Sequence, residues 1–301
     1  MSLLRMNGNQ AILDRTPPAE AVSESTAASA RGPWLQLGSI SNFEWNRYDL
    51  PITALPPALD GLRILHLSDL HLKSTWHPAL DALHERFRHD EPDLIFITGD
   101  FVEDKFDGRR ALPLVERFIG GLRTRFGTYA ITGNHDGDLL APRVAGWGVH
   151  VLPVAQPLRM TVRGADIELM GLAGIDRHDL HLQQVLDLAP REPGAPRVPR
   201  LVLSHYPNAL VMLQRHGIVP DLFFAGHTHG GQVCLPGRVP ILRHDTLPRR
   251  YCSGVHRLNE SWLIVSRGMG FSSYPIRVFC PAEVVEVVLT PTPSPSGRGL
   301  G

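Results

Sequence analysis

The sequence predicts an α/β protein with two β-sheets and helices on their outer faces. Two observations carry that expectation. From Leu62 to Trp147 short apolar runs alternate with amphipathic segments, the order of stacked units with parallel strands. After Gly148 the texture changes to period-two segments separated by turns, the order of antiparallel pairs.

Taken in order, Leu62–Leu67 is a predicted strand followed by a helix from His77 to His89, with Leu80, Leu83 and Phe87 as its apolar residues. Leu94–Thr98 is a buried strand and precedes a helix over Arg110–Arg125. Tyr129–Thr132 is a third strand, leading into a helix over Leu139–Trp147. The segment from Leu158 to Met170 alternates around Arg163-Gly164 and reads as a hairpin. A helix over Leu180–Leu188, a Pro-rich connector over Pro190–Pro199, a strand at Leu201–Ser204 and a short helix over Asn208–His216 follow. Asp221–Ala225 is a further buried strand. The last part, Tyr251–Leu258, Trp262–Ser266 and Val284–Leu289, is expected to be antiparallel.

Composition narrows the function classes. The 301 residues are 43% hydrophobic and 20% charged, enough for a sizeable core. Lys+Arg and Asp+Glu both number 30, so no global charge draws the chain to nucleic acid or anionic lipid. Cys234, Cys252 and Cys280 are widely spaced and read as reduced thiols in a reducing compartment. The first residues lack the apolar core of a signal peptide, and no run approaches a membrane span. Residues 1–33 and 290–301 are poor in apolar side chains and read as flexible tails around one domain over 34–289.

Chemistry-bearing residues collect at the ends of the predicted strands. The first ends in Asp69-Leu70-His71, the second in Gly99-Asp100 and the third in Gly133-Asn134-His135-Asp136. The later two end in His205 and in Gly226-His227-Thr228-His229. In open α/β sheets the functional crevice lies at the carboxyl ends of the strands. Singly, each segment has an ordinary reading: Asp69 as a helix cap, His71 as a hydrogen-bonded histidine, the glycine-containing pairs as turns. Jointly, five strand ends offering carboxylate, amide or imidazole to one edge point to metal binding. Oxygen and nitrogen donors without thiolate suit Mn²⁺, Fe²⁺ or Zn²⁺. Spacing i, i+2 places His227 and His229 on one face of an extended chain.

In this order the five segments resemble the signature of the calcineurin-like metallophosphoesterases, over about Leu62–Gln232. Gly230-Gly231-Gln232, Ser266-Arg267-Gly268-Met269-Gly270 and Pro275-Ile276-Arg277 are similar to the bacterial YkuE- and YaeI-like phosphodiesterases. Some relatives of that subgroup hydrolyse UDP-2,3-diacylglucosamine in lipid A synthesis. The resemblance implies a four-layer αββα sandwich of two mixed β-sheets, the metallo-dependent phosphatase fold. It also implies two divalent metal ions, with Asp69, His71 and His229 on one, Asn134, His205 and His227 on the other, and Asp100 bridging both. Attack by a hydroxide shared between the ions would then cleave a phosphodiester or pyrophosphate bond of a small-molecule or nucleotide-lipid substrate. Such an enzyme is expected in the cytoplasm, with peripheral contact to the inner membrane left open. A nuclease, a cyclic-nucleotide phosphodiesterase and an inactive binding module are the alternative readings, and zero net charge counts against nucleic acid.

His135 neighbours a ligand without being one in the family, and is placed to stabilise phosphoryl oxygens or protonate the leaving alkoxide. Asp136 either orients that imidazole or caps the helix near Leu139. Arg267 and Arg277 are candidates for substrate phosphate, and equally for surface salt bridges. Glu103 stands where purple acid phosphatases place a tyrosine, which argues against a tyrosinate-bound iron. Glu103-Asp104-Asp107 otherwise reads as a solvated loop. His66 is expected in the core, and the remaining histidines are expected to be structural or solvated.

Overall fold

A computed structural model describes residues 32–104, 108–154, 156–172, 197–242 and 245–293 of the chain. The predicted helix over Leu180–Leu188, most of the Pro-rich connector and most of both predicted tails lie outside the described residues. The first half holds β1 (Leu35–Leu37), β2 (Glu44–Ile52), β3 (Arg63–Leu67), α1 (Pro78–His89), β4 (Leu94–Thr98), α2 (Leu112–Gly120), β5 (Thr128–Ile131), α3 (Leu140–Gly146) and β6 (His150–Val151). Then come β7 (Leu158–Val162), β8 (Ala165–Leu172), β9 (Arg200–Ser204), α4 (Ala209–Arg215) and β10 (Leu222–Ala225). The last strands are β11 (Cys234–Leu235), β12 (Val239–Pro240), β13 (Gly254–Leu258), β14 (Ser261–Val265), β15 (Ile276–Val278) and β16 (Glu283–Pro291).

Two six-stranded sheets result, ordered β2-β16-β3-β4-β5-β6 and β13-β14-β10-β9-β8-β7. Both are mixed: β3 to β6 run parallel while β16 is antiparallel to β3, and β8, β9, β10 and β14 run parallel between antiparallel edges.

Side-chain alternation in the central strands sets the layers. Ile64, Leu94 and Phe96 turn toward the second sheet and meet Leu203, Phe224 and Ile264 in the inter-sheet core. Leu65, Leu67, Ile95 and Ile97 point the other way, into a cluster with Leu83 and Phe87 of α1 and Val115 and Phe118 of α2. On the far face of the second sheet Val202 and Phe223 cluster with Leu210 and Leu213 of α4. The order is helix, sheet, sheet, helix: the four-layer αββα arrangement. His66 lies in the inter-sheet core as expected, edge-on to Phe224 at 5.3 Å and 2.9 Å from Thr98 Oγ1. Burial pushes its pKa down to about 3, so the ring is neutral.

Differences from the sequence reading have physical causes. β2 carries Asn46, Arg47, Asp49 and Pro51, which hide its alternation, yet it is a nine-residue edge strand parallel to β16. An edge position tolerates Pro51. Its polar side chains find partners in β16, Trp45 Nε1 donating to Glu286 at 2.7 Å and Asn46 Nδ2 to Glu283 at 2.6 Å. The antiparallel expectation holds for the β13–β14 hairpin and for β16 against β3, whereas β14 joins β10 and β16 joins β2 in parallel. α2 ends at Gly120-Gly121 rather than near Arg125, glycine being a weak helix former. Among the described residues no helix is long and apolar enough to cross a membrane.

Candidate metal centre

Five strands stop at one edge, β3, β4 and β5 from the first sheet and β9 and β10 from the second. Backbone bonds tie neighbouring exits: Asp69 N donates to Gly99 O at 3.0 Å, His71 N to Asp100 O at 3.0 Å and Gly226 N to His205 O at 3.2 Å. Asp69, His71, Asp100, His227 and His229 all have positive φ, between 45° and 69°. Such backbone is uncommon outside glycine and costs on the order of 1–3 kcal/mol per residue. Its concentration here reflects a sharp bend at the exits of β3, β4 and β10. Glycines leave the room this needs, since a Cβ on Gly133 would strike the Asp100 carboxylate and one on Gly226 would strike Ser68 and Asp69.

The seven anticipated ligands come together as two clusters sharing Asp100. In one, His71 Nε2 and His229 Nε2 are 2.9 Å apart, with Asp69 Oδ1 at 3.9 Å from the first and 3.6 Å from the second. In the other, Asn134 Oδ1 lies 2.9 Å from His205 Nε2 and 3.1 Å from His227 Nδ1, and those nitrogens are 3.2 Å apart. Asp100 Oδ2 stands 3.3 Å from both His71 Nε2 and His205 Nε2.

The donor set fits divalent ions. His205 Nδ1 is 2.8 Å from the Thr98 carbonyl and must donate to it, which leaves Nε2 of the neutral ring as a lone pair. That lone pair faces Asn134 Oδ1, Asp100 Oδ2 and His227 Nδ1. Acceptors converging on acceptors call for a cation, or for protons in its place. Burial opposes ionisation of Asp100, but His205 and His71 outweigh it and hold its carboxyl well below the usual range. Burial likewise opposes charge on the two imidazoles. Asp100 and Glu103 nevertheless push His71 up to about 10, and Asp100 and Asp69 push His205 up to about 9.

Glu103 escaped the sequence reading. It is not part of a solvated loop: its side chain is 13% exposed and places Oε2 2.5 Å from His71 Nδ1. Burial raises its pKa less than His71 lowers it, and the carboxyl falls to about 2. A carboxylate behind the far nitrogen of a metal-binding imidazole fixes its tautomer and orientation. The signal was available, because a position where related enzymes place a ligand must face the metals. Asp104 of the same run is exposed, and Asp107 lies outside the described residues.

His135 keeps 30% of its side chain exposed, with its ring centroid 4.9 Å from that of His71. Its Nδ1 donates to the Glu103 carbonyl at 2.5 Å. Asp136 does not orient this ring, nor does it cap α3, whose start has no side-chain cap. Its buried carboxylate accepts from Gly133 N at 2.9 Å and Val102 N at 3.2 Å, because a short acid inside a turn meets backbone donors first. Burial and the charge of Asp100 push its pKa up to about 7.

Arg267 and Arg277 are placed behind the ligands instead of on the open face. Arg267 is buried between Glu44 at 2.6 Å and Glu283 at 2.8 Å. Arg277, with no exposed surface, donates to the carbonyls of Gly270 at 2.6 Å, Arg267 at 2.8 Å and Cys280 at 3.3 Å. Gly270 N in turn donates to Asp69 O at 2.7 Å. The pair therefore braces the loop that supports the first cluster.

A family model described as calcineurin-like phosphoesterase matches residues 62–231, the span that holds all five strand exits. A transmembrane protein with metallophosphoesterase domain from Bos taurus is 28% identical over 297 residues, 92% of this chain and 63% of that protein. Phosphodiesterase YaeI of Escherichia coli (strain K12) is 30% identical over 239 residues, 75% of this chain and 82% of that protein. UDP-2,3-diacylglucosamine pyrophosphatase LpxG of Chlamydia muridarum is 25% identical over 280 residues, 75% of this chain and 83% of that protein. The chain thus spans under two thirds of the bovine relative's length. Matched over that span, and with candidate metal ligands at its five strand exits, the chain belongs to the calcineurin-like phosphoesterase family.

Proposed function

We propose that the chain is a two-metal hydrolase of phosphodiester or pyrophosphate bonds. The observation that supports this most is the position of Asp100, one carboxylate oxygen 3.3 Å from a ligand nitrogen of each cluster. Bound there, a pair of divalent ions (Mn, Fe or Zn) supplies Lewis acidity toward phosphoryl oxygens and activates water. Asp69, His71 and His229 would hold one ion, Asn134, His205 and His227 the other, and the Asp100 carboxylate would lower the repulsion between them. Glu103 and the Thr98 carbonyl keep the Nε2 lone pairs of His71 and His205 turned inward.

His135 is the proton donor in this reading. Its Nδ1 is engaged by the Glu103 carbonyl, so the protonated ring offers Nε2 to the leaving alkoxide from the partly exposed side of the site. Asp136 is a positioning residue, since it fixes the backbone at Gly133 and so the approach of Asn134 and His135. The test is hydrolysis of bis-p-nitrophenyl phosphate by protein stripped of metal and then reloaded. Activity that disappears and returns supports the reading, and activity indifferent to metal ends it.

The physiological substrate we propose is a nucleotide-lipid or related phospholipid-type ester. Support comes from a relative named as a UDP-2,3-diacylglucosamine pyrophosphatase. A substrate panel with Mn²⁺ checks it: UDP-diacylglucosamine should exceed cyclic nucleotides, and the reverse ranking would remove the lipid.

A further inference from the structure

We propose that the hairpin Val233–Leu242, which leaves the last metal motif, docks onto an anionic lipid bilayer and brings a membrane-held phosphoester to the metal edge. The inference deepens the phosphoesterase reading and rests on it only for the identity of the reacting group. Docking itself stands on the surface of the molecule.

Nine large apolar side chains are exposed among the described residues, and four of them lie in this one segment: Leu235 at 53%, Val239 at 46%, Ile241 at 46% and Leu242 at 59%. Single exposed hydrophobes are ordinary, but a concentration on one short hairpin marks an interaction surface. Pairing of β11 with β12 sets Leu235 directly opposite Val239, so the two present a joint apolar surface. Trp34, 62% exposed, lines a groove with Gly237 and Arg238 at the hairpin turn. Tyr274, 74% exposed, sits at the hairpin root, where its carbonyl accepts from Gln232 Nε2 at 3.0 Å. Aliphatic tips flanked by Trp and Tyr suit a membrane interface, where amphipathic rings settle at headgroup level.

Charge selects the occupant. Arg249 and Arg250 are exposed beside the hairpin, and Arg249 reaches back to the Ile241 carbonyl at 3.4 Å. A cationic flank next to the exposed aliphatic side chains complements anionic headgroups over acyl chains. A second copy suits it less, because an isologous contact would set the same cationic flank against itself.

The hairpin is also joined to the chemistry. A Cβ on Gly231, two residues after His229, would meet Pro240 Cβ at 2.6 Å and Leu242 O at 3.3 Å, so the second arm folds back over the end of the motif. Ile241 N closes that fold by donating to Val233 O at 3.2 Å. A headgroup at the depth of the hairpin root therefore lies beside the ligand edge.

Vesicle co-sedimentation tests the proposal, with phosphatidylcholine alone and phosphatidylcholine containing phosphatidylglycerol. The wild-type chain should bind the anionic vesicles, bind less in high salt, and lose at least about tenfold in affinity when Ile241→Ser and Leu242→Ser are combined. No binding by the wild-type chain, or equal binding by the double variant, overturns it. A concentration-dependent dimer by analytical ultracentrifugation, lost in the double variant and unaccompanied by vesicle binding, also overturns it, since a second copy is then the occupant. Circular dichroism checks that the double variant is folded. Should it not be, the Leu242→Trp variant decides: its emission should shift to the blue on anionic vesicles beyond any wild-type shift, and no extra shift overturns docking. Hydrolysis of water-soluble bis-p-nitrophenyl phosphate, measured on the same samples, separates the two claims. Binding without hydrolysis sinks the phosphoesterase reading and keeps docking; hydrolysis without binding does the opposite.

Discussion

On one side of the candidate metal centre His135 leaves 30% of its side chain exposed and is held through one carbonyl, that of Glu103. On the other side Arg277 has no exposed surface, and its guanidinium serves the carbonyls of Arg267, Gly270 and Cys280. Both side chains neighbour a candidate metal ligand, and both carry groups that phosphate could use. What separates them is how their polar atoms are already committed. A group that must exchange protons with a substrate needs a free nitrogen and a path to solvent. A group whose donors are all satisfied by buried acceptors fixes the backbone instead, and removing it leaves those acceptors unpaired.

Substitutions on the two sides test this contrast. The largest effect is expected where the two clusters join: Asp100→Asn should reduce bis-p-nitrophenyl phosphate turnover to the level of metal-stripped protein. On the open side His135→Ala should retain metal and lose about 10²–10⁴-fold in kcat, read by steady-state kinetics. Loss of metal from that variant would make His135 a ligand and erase its difference from the inner residues. On the closed side Arg267→Ala should cost roughly 3–5 kcal/mol of stability in denaturant unfolding, because Glu44 and Glu283 are left buried without their partner. An Arg267→Ala protein of unchanged stability but raised KM would return the arginine to the substrate. Glu103→Gln, one step behind the open side, should weaken metal binding about 10–100-fold in titration calorimetry while the fold persists.

Proton competition gives the smallest and most graded effect. His71, pushed up to about 10, and His205, pushed up to about 9, are protonated at neutral pH in the metal-free protein. Metal must displace those protons, so affinity should rise with pH, by at most about tenfold per unit for each proton released, and level off above about pH 10. The same values fix the sign for stability. Both folded pKa values lie above the ordinary value of 6.5, so this stabilisation of the metal-free fold is complete below that value and is lost as pH rises through about 9 to 10. Thermal melts of chelator-treated protein across that window check it.

The convergence of the strand-exit candidates was legible because a metal site uses few residue types and a fixed position, the carboxyl end of a strand, and both appear in one dimension. Glycines before Asp100, Asn134 and His227 added a second cue, since each leaves room at a tight exit. Glu103 was hidden by context: a carboxylate followed by Asp104 looks solvated until the fold turns it under His71. β2 was hidden because its polar residues answer Glu283 and Glu286, more than 200 positions away, and no local pattern reports such a pairing. The arginines were misplaced for a related reason. Arg267 and Arg277 look equally suited to phosphate and to ion pairs in sequence, and only the burial of Glu44 and Glu283 beside Arg267, with the carbonyls around Arg277, distinguishes the two roles. Asp136 shows the limit of adjacency, as it follows His135 directly yet binds the backbone of Gly133 and Val102.

In the proposed enzyme Asp100 makes one catalytic centre out of two ligand clusters. Metal content of the purified chain, measured by inductively coupled plasma mass spectrometry beside bis-p-nitrophenyl phosphate hydrolysis, tests it most directly. The wild-type chain should carry about two divalent ions per molecule, and Asp100→Asn about one or fewer with hydrolysis lost and circular dichroism unchanged. A fully active wild-type chain with a single ion, or an Asp100→Asn protein that keeps both ions and its activity, would contradict it.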